Sequence, residues 1–167
     1  MSSPRRILFR RSLTTLGVAF TSSAAVLGFA TPASAITQTK ATAQLRTAGI
    51  PWTSTGDCSD RNHPSCTSFE GIRQATITGI ITFKRASGCA ITITGGTETG
   101  HPGSSYTHSG GYKVDIRLSV CVQNYISARY TYLGHVSGFG HQYRSPAGNI
   151  YTRERTHWDI LYYTCGC

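Results

Sequence analysis

Three features that mark large classes of proteins are missing: the chain has no membrane-length apolar run and no internal repeat, and beyond residue 11 it has no cluster of basic residues. Its most apolar stretch, Leu16 to Phe29, is broken by Thr and Ser and is shorter than the roughly 20 residues of a membrane helix. Acids are scarce, with 7 Asp and Glu against 16 Lys and Arg, yet the basic residues are dispersed and match no nucleic-acid-binding motif. We therefore expect neither stable membrane insertion nor a nucleic-acid partner.

The first 35 residues have the pattern of an export signal. Four arginines precede the apolar stretch, and Ala33-Ser34-Ala35 has the small residues of a cleavage site. Arg10-Arg11-Ser12-Leu13 also resembles a twin-arginine signal, so both general export routes stay open. Cleavage after Ala35 leaves residues 36–167, and the net charge falls from +9 to +5 because four arginines and no acids are removed. We expect a single secreted domain whose positive charge suits an anionic cell wall.

All six cysteines lie after this signal, which in an exported chain predicts a disulfide framework. Two of them, at positions 58 and 66, bracket a short loop and favour a local pair. Those at positions 165 and 167 are too close to pair comfortably with each other, so we expect each to reach another cysteine. A cysteine zinc site is the alternative, but the scattered spacing favours disulfides. The candidates are Cys58, Cys66, Cys89, Cys121, Cys165 and Cys167.

Apolar periodicity and turn residues predict helices early in the domain and strands late, without a linker. Thr67-Ser-Phe-Glu70 has the form of a capping box, which predicts that the second helix begins there. We expect a small single α+β domain, with early helices packed on a mainly antiparallel sheet and stapled by disulfides. The predicted helices span residues 37–48, 67–88 and 120–132, the predicted strands span 89–94, 112–118, 142–144, 149–153 and 157–163, and a loop covers 95–111.

Two short segments contain the residue types of a catalytic zinc site. His108 lies seven residues before Asp115, and Glu154 lies three residues before His157. Catalytic zinc takes three protein ligands from His nitrogen and carboxylate oxygen, and a further carboxylate can act as general base. We therefore predict that His108, Asp115 and His157 bind Zn²⁺ and that Glu154 is the catalytic base. The first two can meet only if Gly110-Gly111 turns the chain.

Each of these residues also has a structural interpretation. A lone histidine is more often packed than ligating, and Asp115 alone would be an ordinary carboxylate at a strand end. Glu154 could simply pair with the neighbouring arginines Arg153 and Arg155. Three further histidines are reserve ligands: His63, His101 and His141.

Three segments carry a recognisable pattern: Cys89-Ala-Ile-Thr-Ile-Thr-Gly-Gly96, His108-x-x-Gly111-x-x-x-Asp115-Ile116 and Glu154-x-x-His157-Trp158. Together they resemble the zinc D-alanyl-D-alanine dipeptidase and carboxypeptidase superfamily of peptidoglycan peptidases, as a divergent member. The resemblance covers roughly half of the chain, from residue 89 to residue 162. It implies that His108, Asp115 and His157 are the zinc ligands and that Glu154 is the base.

The chain departs from this family where substrate specificity is set. The family usually carries an arginine after the first strand to bind a substrate carboxylate, whereas Thr94-Gly-Gly-Thr97-Glu98 has none. Lys113 stands where a small residue is usual, and Arg155 stands where histidine is frequent. Arg117 or Arg61 could replace the missing arginine. The candidate substrate-binding residues are His101, Tyr106, Arg117 and Trp158.

These features predict a secreted, monomeric zinc hydrolase that cuts an amide in the stem peptide or cross-bridge of bacterial peptidoglycan. The first alternative is a metal-independent muramidase in which Asp115 and Glu154 form the carboxylate pair. The second alternative is a non-enzymatic, disulfide-stapled binding or inhibitor domain with incidental histidines. Metal content separates the first two interpretations, and turnover of wall material excludes the third.

Overall fold

A computed structural model of the chain describes residues 34–101 and 105–165. They belong to one compact unit, residues 31–167, while the other unit, residues 1–30, lies outside the described part together with most of the predicted export signal. The described part contains three helices and eight strands. In chain order these are β1 (Ala35–Ile36), α1 (Gln38–Thr47), β2 (Ile72–Arg73), α2 (Gln74–Ser87), β3 (Ile93–Gly95), β4 (Lys113–Arg117), α3 (Val120–Arg129), β5 (Thr131–Val136), β6 (Gly140–Arg144), β7 (Ile150–Arg153) and β8 (His157–Leu161).

Six strands form one antiparallel sheet in the order β3-β4-β8-β7-β6-β5, and β1 pairs with β2 separately. Strand β4 lies beside β8, so Asp115 stands opposite Asp159 and Ile116 stands opposite Trp158. Successive residues of a strand point to opposite faces, and residues that stand opposite each other share a face. The three helices and the antiparallel sheet confirm the predicted small α+β domain.

The helices and one face of the sheet enclose the hydrophobic core. Val114 and Ile116 of β4, together with Trp158 and Ile160 of β8, are buried in the same cluster as Ile80 of α2. The alternate residues of these two strands lie on the opposite face, and they are polar or charged at the centre of the sheet. This second face carries the candidate site.

The second helix begins later than the capping box predicted, at Gln74. Thr67 donates its hydroxyl to backbone carbonyls of distant segments. The Glu70 carboxylate accepts the backbone N–H of Gln38 at the first turn of α1, at 2.7 Å. Gly71, with a φ of 76°, turns the chain between the motif and the helix. The prediction was wrong because both motif residues serve long-range contacts that their spacing does not reveal.

The third helix ends earlier than predicted, at Arg129, because Tyr130 already has an extended backbone. Residues 131–136 form β5 instead, and β5 pairs with β6 in a hairpin that the sequence analysis did not predict. Gly134, with a φ of 113°, lies at an irregularity in this pairing. Strand β3 is also displaced, since it covers Ile93–Gly95 where residues 89–94 were predicted. The remaining predicted elements differ from the observed ones by at most two residues at each end.

Disulfides confirm the predicted framework in the described part of the chain. The cysteine at position 165 is also disulfide-bonded, but the four other described cysteines pair with one another, so the prediction that it reaches one of them was wrong, and position 167 falls outside the described residues. Among the described helices, none is both long and apolar enough to cross a membrane. The two disulfides with described partners are Cys58–Cys66, as expected, and Cys89–Cys121, which links the end of α2 to the start of α3.

Candidate metal centre

Four titratable side chains meet on the polar face of the sheet. His108 precedes β4, Asp115 lies on β4, Glu154 follows β7 and His157 begins β8. Nε2 of His108 lies 3.3 Å from Oδ1 of Asp115, and Nε2 of His157 lies 3.6 Å from the same oxygen. Oε2 of Glu154 is 3.6 Å from Nε2 of His157. The structure therefore brings the three predicted ligands and the predicted base into one cluster.

Asp115 reaches this cluster because the neighbouring strand leaves room for it. Gly95 of β3 stands opposite Asp115. A Cβ atom at Gly95 would lie only 2.5 Å from Oδ2 of Asp115, so a larger residue would displace the carboxylate. Close approach of this kind is a typical reason for glycine inside a strand. Gly95 is thus a requirement of the site that the sequence analysis did not identify.

The segment before β4 fixes the orientation of His108. Its Nδ1 lies 2.7 Å from the carbonyl oxygen of Gly96 and donates to it, which leaves Nε2 beside Asp115. A backbone carbonyl on one ring nitrogen commonly orients a metal-binding imidazole. Gly111, with a φ of 77°, closes the turn by donating its N–H to the carbonyl of His108. A Cβ there would lie 2.6 Å from the carbonyl oxygen of Gly71, which confirms that the predicted turn needs glycine.

Oδ1 of Asp115 has an unusual environment. Asp115 is 5% exposed, and this oxygen is buried without a hydrogen-bond partner among the described residues. Nε2 of His108 is close, at 3.3 Å, but is not aligned to donate a hydrogen bond to it. Burying a carboxylate oxygen without a partner is costly. A cation shared by this oxygen and the nearby nitrogens would remove that cost.

Asp159 and Lys113 also belong to the cluster, although the sequence analysis assigned neither a role in it. Oδ2 of Asp159 lies 3.7 Å from Nε2 of His108 and 2.7 Å from Nζ of Lys113. Burial opposes ionisation of Asp159, but His108 and Lys113 hold the pKa of its carboxyl below the ordinary value. The alternation of strand residues is the signal that could have found it, because positions 157 and 159 share a face.

The two aspartates determine the charge of His108. Burial lowers the pKa of this imidazole, but the carboxylates of Asp115 and Asp159 outweigh burial and raise the pKa to about 10. Without a metal, His108 is therefore a cation at neutral pH. A metal ion that binds Nε2 must displace its proton.

His101, one of the reserve ligands, lies beside the predicted ones. Its ring stacks on the ring of His108 with centroids 3.9 Å apart, and its Nε2 is 3.2 Å from Oε1 of Glu98. Burial raises the pKa of Glu98, but His101 and three backbone N–H groups lower it below the ordinary value. Ligand atoms of His101, His108 and Asp115 all lie within 4.8 Å of one another, so these three residues could hold a metal ion.

Glu154 faces His157 and not the arginines beside it in sequence. His157 is its ion-pair partner among the described side chains, whereas Arg153 contacts only the backbone carbonyl of Glu154, at 3.4 Å. Burial raises the pKa of Glu154, His157 opposes this shift, and the nearby aspartates add to it. A carboxyl group with a raised pKa is suited to accept a proton and return it near neutral pH.

The four predicted substrate-binding residues take different positions. His101 lies in the cluster, and Arg117 is exposed on the same face of β4, opposite the first residue of β8. Tyr106 is exposed and packs its ring against two other tyrosines. Trp158 is fully buried on the core face of β8, so it does not face the cluster.

The other reserve residues lie away from the cluster. His63 is close to the Cys58–Cys66 pair, but those sulfurs form a disulfide and offer no thiolate to a metal. His141 lies on β6 and hydrogen-bonds a tyrosine hydroxyl of β5. Arg61 donates to a backbone carbonyl of the segment that carries His108, so it holds that segment in place.

No protein-family model, curated protein or solved structure matches the chain. The resemblance to zinc peptidases therefore depends on the residue pattern alone. The chemistry of the cluster is the basis for any functional assignment.

Proposed function

We propose that the chain is an exported zinc peptidase that hydrolyses an amide bond of bacterial peptidoglycan. The observation that carries the proposal is the buried Oδ1 of Asp115, which has no hydrogen-bond partner among the described residues but has Nε2 of His108 at 3.3 Å and Nε2 of His157 at 3.6 Å. Zinc binds nitrogen and carboxylate oxygen at about 2.0–2.2 Å, so neighbouring ligands of a tetrahedral ion are about 3.4 Å apart. Both distances fit this spacing.

His108, Asp115 and His157 would hold the ion. Three protein ligands leave one position open, as in catalytic zinc sites and unlike closed structural ones. The hydrogen bond from His108 to the Gly96 carbonyl supports this arrangement, because it presents Nε2 to the ion in a fixed tautomer. When bound, zinc supplies a Lewis acid for the scissile carbonyl and makes water a stronger acid.

Glu154 moves the proton in the proposed reaction. Its Oε2 takes a proton from the attacking water, whose oxygen forms a bond to the carbonyl carbon of the substrate. The same carboxyl then returns the proton to the leaving nitrogen as the C–N bond breaks, so the products are a carboxylate and an amine. The raised pKa of Glu154 supports this role, since the carboxyl must hold the proton between the two steps.

The substrate and the location follow from the properties of the chain. Disulfides persist outside reducing compartments, and the predicted export signal would deliver the domain there. The positive net charge suits an anionic wall. The family-like spacing of the ligands favours a stem-peptide or cross-bridge amide, cut by a monomer.

Digestion of purified peptidoglycan tests the proposal. The protein should release new amine and carboxyl ends, which mass spectrometry identifies. A chelator should abolish the release. Added Zn²⁺ should restore the release, and the active protein should then contain about one equivalent of bound metal. Chelator-resistant hydrolysis by metal-free protein, or no new ends at all, would contradict the proposal.

A muramidase is the second candidate, because the imidazole of His157 lies close to both carboxylates that a muramidase would use, those of Asp115 and Glu154. Oδ1 of Asp115 and Oε2 of Glu154 each lie 3.6 Å from Nε2 of His157. The two oxygens are therefore at most about 7 Å apart, an upper bound that allows the spacing of about 5–5.5 Å of a retaining glycosidase. The same digestion separates the candidates, since a muramidase produces new reducing sugar ends and needs no metal.

A further inference from the structure

A cavity of about 290 Å³ lies between the start of α3 and the ends of β4, β7 and β8. Arg153 and Trp158 stand opposite each other in the β7–β8 pair, so both point to the core face, away from the metal centre. The proposed hydrolysis uses none of the residues around this cavity. They are Leu118, Ser119, Val120, Gln123, Arg153 and Trp158.

Two of these side chains carry buried polar atoms that have no partner among the described residues. Trp158 is fully buried, and its Nε1–H has no acceptor. Oε1 of Gln123 has no donor, whereas Nε2 of the same amide donates to the hydroxyl of Ser127 at 2.7 Å, which fixes the orientation of the amide. Unpaired buried polar atoms are rare and costly. Trp158 and Gln123 both line the cavity, so a ligand with an amide group that reaches these two covered atoms would supply the missing acceptor and the missing donor.

Arg153 adds a positive charge to the same cavity. No carboxylate of the described residues forms an ion pair with it, and its one hydrogen bond, to the carbonyl of Glu154, is long at 3.4 Å. The first turn of α3 also contains no acidic residue. A guanidinium and a helix N-terminus both favour an anion, and a guanidinium matches a carboxylate in shape. The cavity is therefore suited to a small ligand with a negative charge.

We propose that this cavity binds a small N-acylated amino acid or the carboxyl end of a peptide. The ligand carboxylate pairs with Arg153, the amide carbonyl accepts the Nε1–H of Trp158, and the amide N–H donates to Oε1 of Gln123. A short side chain lies against Leu118 and Val120, the latter 76% exposed at the rim. The site stands on its own residues, so it does not depend on zinc or on hydrolysis at the metal centre.

The indole signals of the protein give a direct readout. The chain has two tryptophans, Trp52 and Trp158, and a Trp52→Phe variant assigns their two indole N–H resonances in ¹⁵N-labelled protein. Titration with N-acetylalanine should shift the Trp158 resonance in a saturable way, because a new hydrogen bond forms at Nε1. The Trp52 resonance should stay in place. Acetate and inorganic phosphate, which carry the charge without the amide, should bind more weakly.

Two cavity variants and one matched control complete the test. Arg153→Gln should weaken N-acetylalanine about 10- to 100-fold, and Gln123→Leu should weaken it about tenfold. Arg129→Gln removes an exposed arginine of α3 that does not line this cavity, and it should leave the affinity unchanged. The proposal is overturned if the wild-type Trp158 resonance does not move, if Arg153→Gln responds like wild type, or if phosphate alone acts as strongly as N-acetylalanine.

Discussion

Strands β4 and β8 bury residues on both of their faces, but by different means. On the core face, Ile116 and Trp158 stand opposite each other and are fully buried in the hydrophobic cluster. On the other face, Asp115 and Asp159 stand opposite each other, and both are buried as well. The core face is stabilised by apolar burial, which is favourable without a specific partner. The polar face requires a cation, and the chain supplies one in Lys113 beside Asp159.

The contrast indicates that the two faces of β4 and β8 have different roles. Like charges directly opposite each other in a sheet are destabilising, and well-packed apolar residues often replace buried ion pairs without loss of stability. A face that only had to be covered would therefore not need two aspartates, two imidazoles and a lysine. Oδ1 of Asp115 has no hydrogen-bond partner, so the hydrogen bonds of this face are not fully satisfied within the described protein. Such a site is a candidate for binding and catalysis.

The largest expected effect is a loss of hydrolytic activity from a substitution on the polar face. Glu154→Gln keeps the size of the side chain but cannot take up the proton of water. We expect wall hydrolysis to fall about 10²- to 10⁴-fold, with bound zinc and thermal stability unchanged. Release of new ends from peptidoglycan, zinc content and a thermal melt measure the three quantities. Near-normal hydrolysis by this variant would assign the base to another residue.

Two substitutions on β4 test the contrast between the two faces through the free energy of unfolding. Ile116→Ala removes packed apolar atoms from the core face and should lower the free energy of unfolding by about 2–5 kcal/mol. Asp115→Asn should lower it by less than about 1.5 kcal/mol in metal-free protein, since the amide keeps the shape of the carboxylate. It should instead strip the zinc, because a charged ligand is lost.

Denaturant unfolding of both variants and metal analysis decide this comparison. If Asp115→Asn is as destabilising as Ile116→Ala and binds zinc normally, the polar face is structural. Conversely, a zinc defect in a well-folded Ile116→Ala protein would mean that the two faces are not independent.

Sequence spacing was sufficient to predict most of the cluster. His108, Asp115, Glu154 and His157 lie together, because strand alternation and one glycine turn bring them to the same face. The α+β class was also predictable, since apolar periodicity records which face of each element is buried.

The remaining contacts depend on pairing between strands and loops that are distant in sequence. Asp159 enters the site through the β4–β8 register, and Gly95 through the β3–β4 register. The prediction from the capping box was wrong for the same reason, since Glu70 caps α1 and not α2. Strand β5 was missed because its first two residues were assigned to the preceding helix and its other residues to no element, and only pairing with β6 makes it a strand.

The two disulfides should have the same ranking for their effects on stability and on zinc binding. Their cysteines are 8 and 32 residues apart, so chain entropy predicts about 2.5 kcal/mol for Cys58–Cys66 and about 3.7 kcal/mol for Cys89–Cys121. The loop closed by Cys89–Cys121 contains the candidate ligands His108 and Asp115, whereas the loop closed by Cys58–Cys66 only contacts their segment, through the carbonyl of Arg61, which accepts the N–H of Thr99 at 2.8 Å. Double serine variants should therefore show both the larger stability loss and the larger zinc defect for the second disulfide. Equal zinc affinities in the two variants would remove the proposed support.

The last expected effect is a pH dependence that only the polar face can produce. The pKa of His108 is raised from 6.5 to about 10 in the folded protein. Below pH 6.5 the folded and unfolded chains both carry this proton, so the stability from the ion pair is fully present. Between pH 6.5 and about 10 only the folded chain holds it, and this stability is lost as the pH rises. Metal-free protein should therefore lose up to about 1.4 kcal/mol of unfolding free energy per pH unit in this window.

Zinc should reverse this dependence, because the ion takes the place of the proton on Nε2 of His108. Saturating zinc should remove the slope, and zinc affinity should rise up to about tenfold per pH unit over the same window. His108→Gln should abolish the slope in metal-free protein, whereas His141→Gln, on the β5–β6 hairpin, should keep it. Denaturant titrations at several pH values, with and without zinc, measure all of these quantities. A slope that survives in His108→Gln, or that zinc leaves unchanged, would show that the imidazole and the metal do not compete for one site.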